Sequence, residues 1–241
     1  MKRMAMSALH GLICVASALA QEPTVDQILE KYIQATGGRA AAEKLTSRAS
    51  KGTFEMPAMG LKGATEIFAK APNKVLITTN IPGLGVVEQG FNGTVGWSRD
   101  AMQGLREQSG AELAAIRRDA QFHKHIRLKD LYPKMELKPS EKVGQRQTHV
   151  IEATPAEGVP EKWYFDAETG FLLRVDTVRE SPQGKIALEV SMEDYREIDG
   201  VKIPFTVRQS NPAFNLTIRI DEVKHNVSID EAKFEKPAAQ P

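Results

Sequence analysis

The chain has 241 residues, a formal net charge of +1 at pH 7 and a single cysteine. The nearly balanced charge gives no indication of a nucleic-acid partner, which would favour a strongly basic chain. The length suits one domain. Because the cysteine lies near the start of the chain, disulfides and cysteine-based chemistry are excluded from the rest of it.

The first 20 residues have the composition of a secretory signal peptide. A basic start at residues 1–3 is followed by an apolar run over residues 5–19, which closes on an Ala-Leu-Ala sequence ending at Ala20. This order predicts cleavage after Ala20 and export to the periplasm. Lipidation of Cys14 is the alternative, but Ile13 stands where a lipoprotein signal has a small residue. No later segment has the roughly 20 apolar residues that a membrane span requires.

Helices are predicted at the start of the mature chain. Thr24 and Gln27 form a capping-box pattern, and apolar residues recur at helical spacing over residues 25–33. An alanine-rich stretch at residues 39–45 predicts a second, short helix. The first helix is amphipathic and needs a surface to cover.

Short β-like runs follow, separated by turns rich in proline and glycine. Four of them are residues 53–56, 65–68, 75–78 and 86–89. Asn92-Gly93 then predicts a tight turn into a further strand at residues 95–98. These runs predict a meander of antiparallel strands in the first half of the chain.

A helix is predicted to interrupt the β pattern. Residues 110–125 carry Leu113 and Ile116 at helical spacing, and Ser109 and Glu112 fit an N-cap and its capping-box partner. The β pattern resumes at residues 134–137. The first and second halves of the sheet are therefore expected to flank this helix in the chain.

Two consecutive hairpins give the strongest β signal, over residues 161–175 and 186–207. The second turns at Asp199-Gly200 and alternates apolar and polar residues on both sides. A last strand is predicted at residues 214–220, and the chain is expected to fray from Ala232. We therefore expect a signal peptide (1–20), one domain (21–235) and a flexible tail (236–241).

This pattern of elements predicts a mainly β protein with a few helices. About ten strands in one sheet tend to curl, and closing a sheet removes exposed edges. An incompletely closed antiparallel β-barrel covered by helices fits this pattern better than a layered α/β enzyme.

Four segments resemble the LolA-like family of outer-membrane lipoprotein-sorting proteins. They are residues 28–32 (ILEKY), 164–172 (YFDAETGFL), 194–204 (DYREIDGVKIP) and 226–234 (NVSIDEAKF). The resemblance implies a half-open β-barrel of the LolA/LolB type, closed by helices, with an apolar cavity for the acyl chains of a lipoprotein. Each segment is a strand-end or hairpin signature, so it speaks for fold more than for activity.

The sequence departs from the family's carriers at the arginine that holds their lid. Arg174, Arg208 and Arg219 all fall at outward-facing positions of the strand alternation. The resemblance therefore supports a general lipid or hydrophobic-ligand role more than a specific lipoprotein handover.

The apolar face of the predicted strands is the candidate cavity wall. Its members are Phe54, Met56, Val75, Ile77, Val87, Phe91, Trp97, Trp163, Phe165, Leu173, Val175, Leu188, Val190, Ile218 and Ile220. The alternative is that these side chains fill an ordinary barrel core, since small barrels are often packed solid. A ligand cavity is the working hypothesis, because ligands in such barrels are enclosed mostly by apolar groups.

Residues 104–125 form the candidate lid, since they interrupt the sheet and carry both apolar and basic residues. The basic residues Arg106, Arg117, Arg118 and Lys124 could contact a lipid headgroup or the membrane surface. A solvated helix face is the alternative explanation of these charges.

No catalytic residue, metal site or cofactor is predicted. His123 and His125 are the nearest approach to a metal pair, but residues two apart on a helix do not share a face and no third ligand is evident. The sequence contains no nucleophile elbow, phosphate loop or dinucleotide fingerprint.

The sequence thus predicts a periplasmic carrier or binding protein, a monomer that shields acyl chains of a lipid or lipoprotein. The alternative is a non-catalytic interaction module of the cell envelope, with a filled barrel, an apolar outer patch and an envelope protein as partner.

Overall fold

The computed structural model describes residues 22–181 and 184–238. The predicted signal peptide lies outside the described residues. Thirteen antiparallel strands form one open sheet in the described part of the chain. They are β1 (Ser47–Met56), β2 (Leu61–Lys70), β3 (Lys74–Ile81), β4 (Gly85–Phe91), β5 (Gly96–Asp100), β6 (Gly104–Glu107), β7 (Lys134–Val143), β8 (Arg146–Thr154), β9 (Glu161–Asp166), β10 (Leu172–Ser181), β11 (Gly184–Ile198), β12 (Val201–Asn211) and β13 (Phe214–His225).

The order of strands in the sheet is β6-β5-β4-β3-β2-β1-β13-β12-β11-β10-β9-β8-β7. Every neighbouring pair of described strands is also consecutive in the chain, except β1 and β13. Two local meanders, β1–β6 and β7–β13, are therefore joined side by side along a single seam. The predicted half-open antiparallel barrel is confirmed as an open, mainly β sheet with helices.

Four α-helices lie against one face of this sheet, which we call the inner face. They are α1 (Val25–Ala35), α2 (Arg39–Ala42), α3 (Gly110–Asp119) and α4 (Leu128–Leu131). Side chains of β3, β10 and β11 line one cavity beneath α3, although five strands separate β3 from β10 in the sheet. The sheet is therefore curled around its inner face.

The helix α1 begins as the sequence predicts. The Thr24 hydroxyl accepts a hydrogen bond from the Gln27 backbone amide, and the Gln27 side chain accepts one from the Thr24 amide. Both bonds satisfy amides that the first helical turn leaves unpaired. Ile28, Leu29 and Tyr32 then face the sheet and are buried.

The predicted helix over residues 110–125 is shorter and is capped differently. The helix α3 ends at Asp119, and a 3₁₀ turn at Lys124–Ile126 follows. The Ser109 side chain makes no capping hydrogen bond, so the capping-box prediction is wrong. Glu112 instead accepts two hydrogen bonds from Arg106, at 2.6 and 2.7 Å. A bidentate hydrogen-bonded pair between arginine and a carboxylate is stronger than a capping hydrogen bond, so Glu112 binds Arg106 and does not cap the helix.

The C-terminal segment covers part of the outer face. Phe234, in the 3₁₀ turn Glu231–Phe234, is fully buried beside Leu76 and Trp97, and its carbonyl accepts a hydrogen bond from the Trp97 indole at 3.1 Å. The prediction that the chain frays from Ala232 is therefore wrong for this turn. In the part of the chain described here, no helix is both long and apolar enough to cross a lipid bilayer.

Candidate functional site

A cavity of about 380 Å³ lies on the inner face at the seam between β1 and β13. This is within the range of small-molecule sites. Its cover consists of α1, α2 and the 3₁₀ turn, which contributes His125. Its aliphatic wall comes from four neighbouring strands: Ile67 of β2, Val207 of β12 and Ile218, Ile220 and Val223 of β13, with Gly52 of β1 between them. We call this space the seam cavity.

A bulge in β13 builds the wall of the seam cavity. Lys51 of β1 pairs with Glu222, but the next residue, Gly52, pairs with Ile220, so Asp221 is an extra residue. The extra residue changes the alternation, and both Ile220 and Val223 therefore face inward. A Cβ atom on Gly52 would lie 2.1 Å from the Arg219 carbonyl oxygen, so only glycine permits this close approach.

Polar groups cluster at the end of the seam cavity nearest the start of β1. Arg48 of β1 is the direct cross-strand partner of His225 of β13. The His225 side chain is only 2% exposed, and its Nδ1–H donates to Asp199 at 3.0 Å. His123 Nε2–H donates to the Leu45 carbonyl at 3.0 Å. The cavity thus combines an aliphatic wall with a basic end.

Burial changes the protonation of this basic end. It lowers the pKa of Arg48, and it also lowers the pKa of His125 to about 4, with the nearby His123 and Arg48 acting in the same direction. Burial and Arg48 likewise lower the pKa of His225, against the Asp199 hydrogen bond. His125 and His225 are therefore neutral at pH 7, while Arg48 keeps its charge.

A second cavity, also of about 380 Å³, lies beneath α3. Val75, Ile77, Leu188 and Val190 contribute to its wall. Ile77 is the cross-strand partner of Ile67, which lines the seam cavity, so the two cavities adjoin along the inner face. We call the second space the α3 cavity.

The salt bridge between Asp119 and Arg179, at 2.7 Å, ties α3 to β10. Burial would raise the pKa of Asp119, but Lys124 and Arg179 hold it at about 2. The carboxylate is therefore charged at any physiological pH, and the tie persists.

The predicted wall residues fall into three groups. The two cavities together are lined by six of them: Ile218 and Ile220 at the seam, and Val75, Ile77, Leu188 and Val190 beneath α3. Four belong to or pack against solid clusters: Phe91, Trp163, Phe165 and Val175. Phe54 and Met56 lie on the inner face, half-buried, but line neither cavity. Leu173 is the extra residue at a register shift in β10, where Leu172 packs against a solid cluster instead.

Two predicted wall residues do not belong to the wall. Trp97 lies on the outer face, because Phe91 pairs with Gly96 and Trp97 therefore points to the opposite side of the sheet. Val87 is 40% exposed, close to the β3–β4 hairpin. Alternation assigns Trp97 to the wrong side because the short turn after Phe91 resets the register.

The sheet under α1 and α4 is filled. Tyr32, Tyr132, Trp163 and Phe165 pack together, and the Tyr132 and Trp163 rings meet edge to face with centroids 4.4 Å apart. Glu161 is buried at the edge of this cluster. For this part of the inner face, the alternative of a filled core is the correct description.

The four basic residues predicted at the surface have different environments. The Arg118 side chain is only 11% exposed and donates to Glu161 at 3.0 Å and to the Tyr132 hydroxyl at 3.0 Å, so its headgroup role is a wrong prediction. Arg106 pairs with Glu112, and Lys124 pairs with Asp119 at 2.6 Å. Arg117 is exposed and pairs with no acidic residue in the described ranges.

The segment predicted as a lid also divides. Residues 104–107 are the edge strand β6, and α3 covers the α3 cavity. Only the part that follows, with Phe122, His123 and His125, covers the seam cavity. In residues 22–181 and 184–238, no three acidic, histidine or cysteine side chains are placed to hold a metal ion.

Sequence reasoning did not identify Arg48. Its strand was predicted to begin at Thr53, because the residues before it lack apolar alternation. The alternation of the strand does indicate Arg48, because residues two apart share a face. The even-numbered positions of β1, which include Arg48, Ser50, Phe54 and Met56, therefore all lie on the inner face. His225 could not be found this way, because the bulge changes the parity of β13.

No protein-family model and no curated protein matches this sequence. Solved structures do match its fold. A DUF1329 family protein from Desulfovibrio piger is 16% identical, with 88% of this chain and 97% of that chain covered and a TM-score of 0.60. A LolA superfamily protein from Nitrosomonas europaea is 12% identical, with 89% and 99% covered and a TM-score of 0.58.

A domain described as an outer membrane lipoprotein-sorting protein, from Vibrio parahaemolyticus, is also similar. It is 12% identical, with 86% of this chain and 96% of that chain covered and a TM-score of 0.57. Identities this low establish the fold and leave the activity open. The chain has a LolA-like fold.

Proposed function

We propose that the protein is an exported, periplasmic carrier or binding protein that shields the acyl chains of a lipid or lipoprotein. The observation that carries this proposal is the seam cavity with its largely aliphatic strand wall. It adjoins the α3 cavity, whose strand wall combines four aliphatic residues with four polar ones, Gln89, Arg179, Glu180 and Gln209. Burying an acyl chain contributes about 0.8 kcal/mol per CH₂ group, so even partial enclosure supports useful binding. No covalent chemistry is required, and we propose a binding role without catalysis.

The cover of the seam cavity is suited to opening. The segment with Phe122 and the 3₁₀ turn packs Phe122 and Ile126 against a small apolar cluster. Its polar contacts include Arg39 to the Ile126 carbonyl at 2.7 Å and His123 to the Leu45 carbonyl at 3.0 Å. Both acceptors are backbone oxygens that water can satisfy. Displacement of this segment to release a ligand would open the small cluster around Ile126 and leave the larger cluster under α1 and α4 intact.

Native mass spectrometry on protein purified from the periplasm without detergent, combined with lipid extraction, tests this function. We expect a co-purifying phospholipid or acylated peptide. Ile220→Asp places a charge in the seam cavity and should abolish the bound mass. Asn215→Asp adds the same charge at an exposed position of the same strand and is the matched control. An apo mass, together with no uptake of a fluorescent fatty acid, would reject the carrier function.

A second candidate function is an interaction module of the cell envelope. One rim of the sheet carries six large apolar side chains that are at least 36% exposed, all in or next to hairpins between strands: Met59, Leu84, Val86, Val87, Met102 and Ile186. Exposed apolar side chains clustered at one rim favour a docking surface. Leu84→Ser and Met102→Ser would weaken capture of an envelope partner without changing lipid uptake. The carrier function predicts that only the cavity variant Ile220→Asp loses lipid uptake.

A further inference from the structure

Arg48 is an arginine in the seam cavity without a partner. Its side chain makes no hydrogen bond or ion pair with any residue in the ranges 22–181 and 184–238. Arg118, by contrast, is bound by Glu161 and Tyr132. A guanidinium withdrawn from bulk water is costly unless an anion or ordered water compensates its charge. Arg48 therefore places a positive charge in the seam cavity that no acidic side chain of the described residues neutralises.

The surroundings of Arg48 are electropositive. Among the described residues that line the seam cavity, none is aspartate or glutamate, whereas Lys202 and three histidines are included. The charge of Arg48 contributes, after burial, to the lowered pKa of both His125 and His225. An anion placed beside Arg48 would be attracted by Arg48 and Lys202 and would meet no carboxylate among the described lining residues.

Hydrogen-bond donors also lie around Arg48 without partners. The side chains of Ser50, Tyr32 and His125 line the same cavity and form no hydrogen bond within the described chain. Burial raises the pKa of Tyr32 to about 12, so its hydroxyl remains protonated and can donate. Together with the guanidinium fork, these groups match a carboxylate or phosphate better than a neutral amide or sugar.

The aliphatic wall leads directly away from this basic end. On β1 the inner positions run from Arg48 through Gly52 to Phe54 and Met56, and Ile220 and Ile218 of β13 lie beside them. The six residue steps from Arg48 to Phe54 span about 20 Å of strand. This length is comparable to that of an extended long acyl chain, and it leads towards the α3 cavity.

We propose that the seam cavity binds an amphiphile by its anionic head group, with Arg48 as the counter-ion and the aliphatic side chains of β13, beside β1, as the path of the acyl chain. The inference rests on the proposed carrier function and names the ligand class: an acyl chain that ends in a carboxylate or a phosphate. Arg48 acts as a binding residue, and selection against neutral lipids follows from its unpaired charge.

Isothermal titration of the delipidated full chain with palmitate, methyl palmitate and inorganic phosphate tests this inference. We expect wild type to bind palmitate at least tenfold more tightly than methyl palmitate. Arg48→Met should remove this preference and leave methyl palmitate binding within twofold of wild type. Arg219→Met, on the outer face of the seam, removes the same charge and should change neither affinity. Arg48→Lys retains the charge and should keep part of the preference, and it replaces Arg48→Met if that variant fails to fold.

The outcomes separate the inference from the proposed function. If palmitate and methyl palmitate bind equally well to wild type and to Arg48→Met, the anionic site is rejected and the carrier function stands. If neither ligand binds, the carrier function fails and the inference fails with it. Binding of phosphate alone would mean a small-anion site and would overturn the assignment of an amphiphile.

Discussion

Two regions of the inner face have the same strand alternation, but one is filled with side chains and the other is hollow. Under α1 and α4, the strands β7–β9 present Ile151, Trp163 and Phe165, which are at most 3% exposed. At the seam, β13 presents Ile218 and Ile220, which remain half-buried beside an open cavity. Alternation therefore determines which face a side chain occupies, and the covering element determines whether the space above it is filled.

The covers of the two regions differ in side-chain volume. The long helix α1 places Ile28, Leu29 and Tyr32 onto the strands below it. The seam is covered largely by the four-residue α2 and by a 3₁₀ turn, and α2 buries only Ala42. Ala42 and Ile126 pack against Val201 at one side of the seam, and the space beside them stays open because the side chains of these short elements do not fill it. A stable filled region thus holds the scaffold, while the hollow region is available for a ligand.

The largest effect should come from truncation in the filled region. Trp163→Ala removes a fully packed ring and should lower the free energy of unfolding by about 3–5 kcal/mol. Ile218→Ala removes a side chain that already faces a cavity and should cost only about 1 kcal/mol. Urea denaturation of both variants measures the difference, and equal losses would contradict the distinction between the two regions.

A smaller effect is expected from the arginine that ties α3 to the filled region. Arg118→Met leaves Glu161 buried without its cation and should lower the free energy of unfolding by about 3 kcal/mol. Hydrogen bonds from Tyr132 and Trp163 to Glu161 remain and limit the loss. The neighbouring Arg117 is exposed, so Arg117→Met should stay within about 0.5 kcal/mol. Similar losses in both variants would show that Arg118 is not buried.

The smallest effect concerns pH at the hollow region. The pKa of His125 falls from 6.5 to about 4 on folding, so the unfolded chain binds a proton first as the pH decreases. The contribution of neutral His125 to the free energy of unfolding is complete above pH 6.5 and is lost progressively towards pH 4. Between pH 7.5 and 5.5 wild type should therefore lose about 1 kcal/mol more than His125→Gln. Thermal unfolding at both pH values measures this, and parallel losses would mean that His125 is solvated.

Turn residues and the alternation of apolar and polar residues were sufficient to predict the strands that pair with their neighbours in the chain. The hairpins at residues 161–175 and 186–207 are confirmed as β9–β10 and β11–β12, with the turn at Asp199-Gly200. Each depends on contacts between chain neighbours, which turn residues and alternation specify directly. The same is true of the Asn92-Gly93 turn, where the Asn92 side chain accepts hydrogen bonds from two following amides.

Features that depend on distant pairing could not be predicted. The bulge at Asp221 shows only once β13 is paired with β1, and it places His225 opposite Arg48. Likewise, nothing near Trp97 indicates that Phe234 of the C-terminal segment covers it on the outer face. Arg118 looked like a surface charge because Glu161, its partner, lies 43 residues further along the chain.

The seam between β1 and β13 has a consequence for the order in which the molecule assembles. It is the one pairing among the described strands that joins segments distant in sequence, so the loop-closure entropy of the sheet is concentrated there. Each meander can form from its neighbours, but the pocket exists only after the two have docked. A ligand that contacts both β1 and β13 then stabilises the pairing of the two meanders. We expect this stabilisation to appear as slower amide hydrogen exchange in β1 and β13.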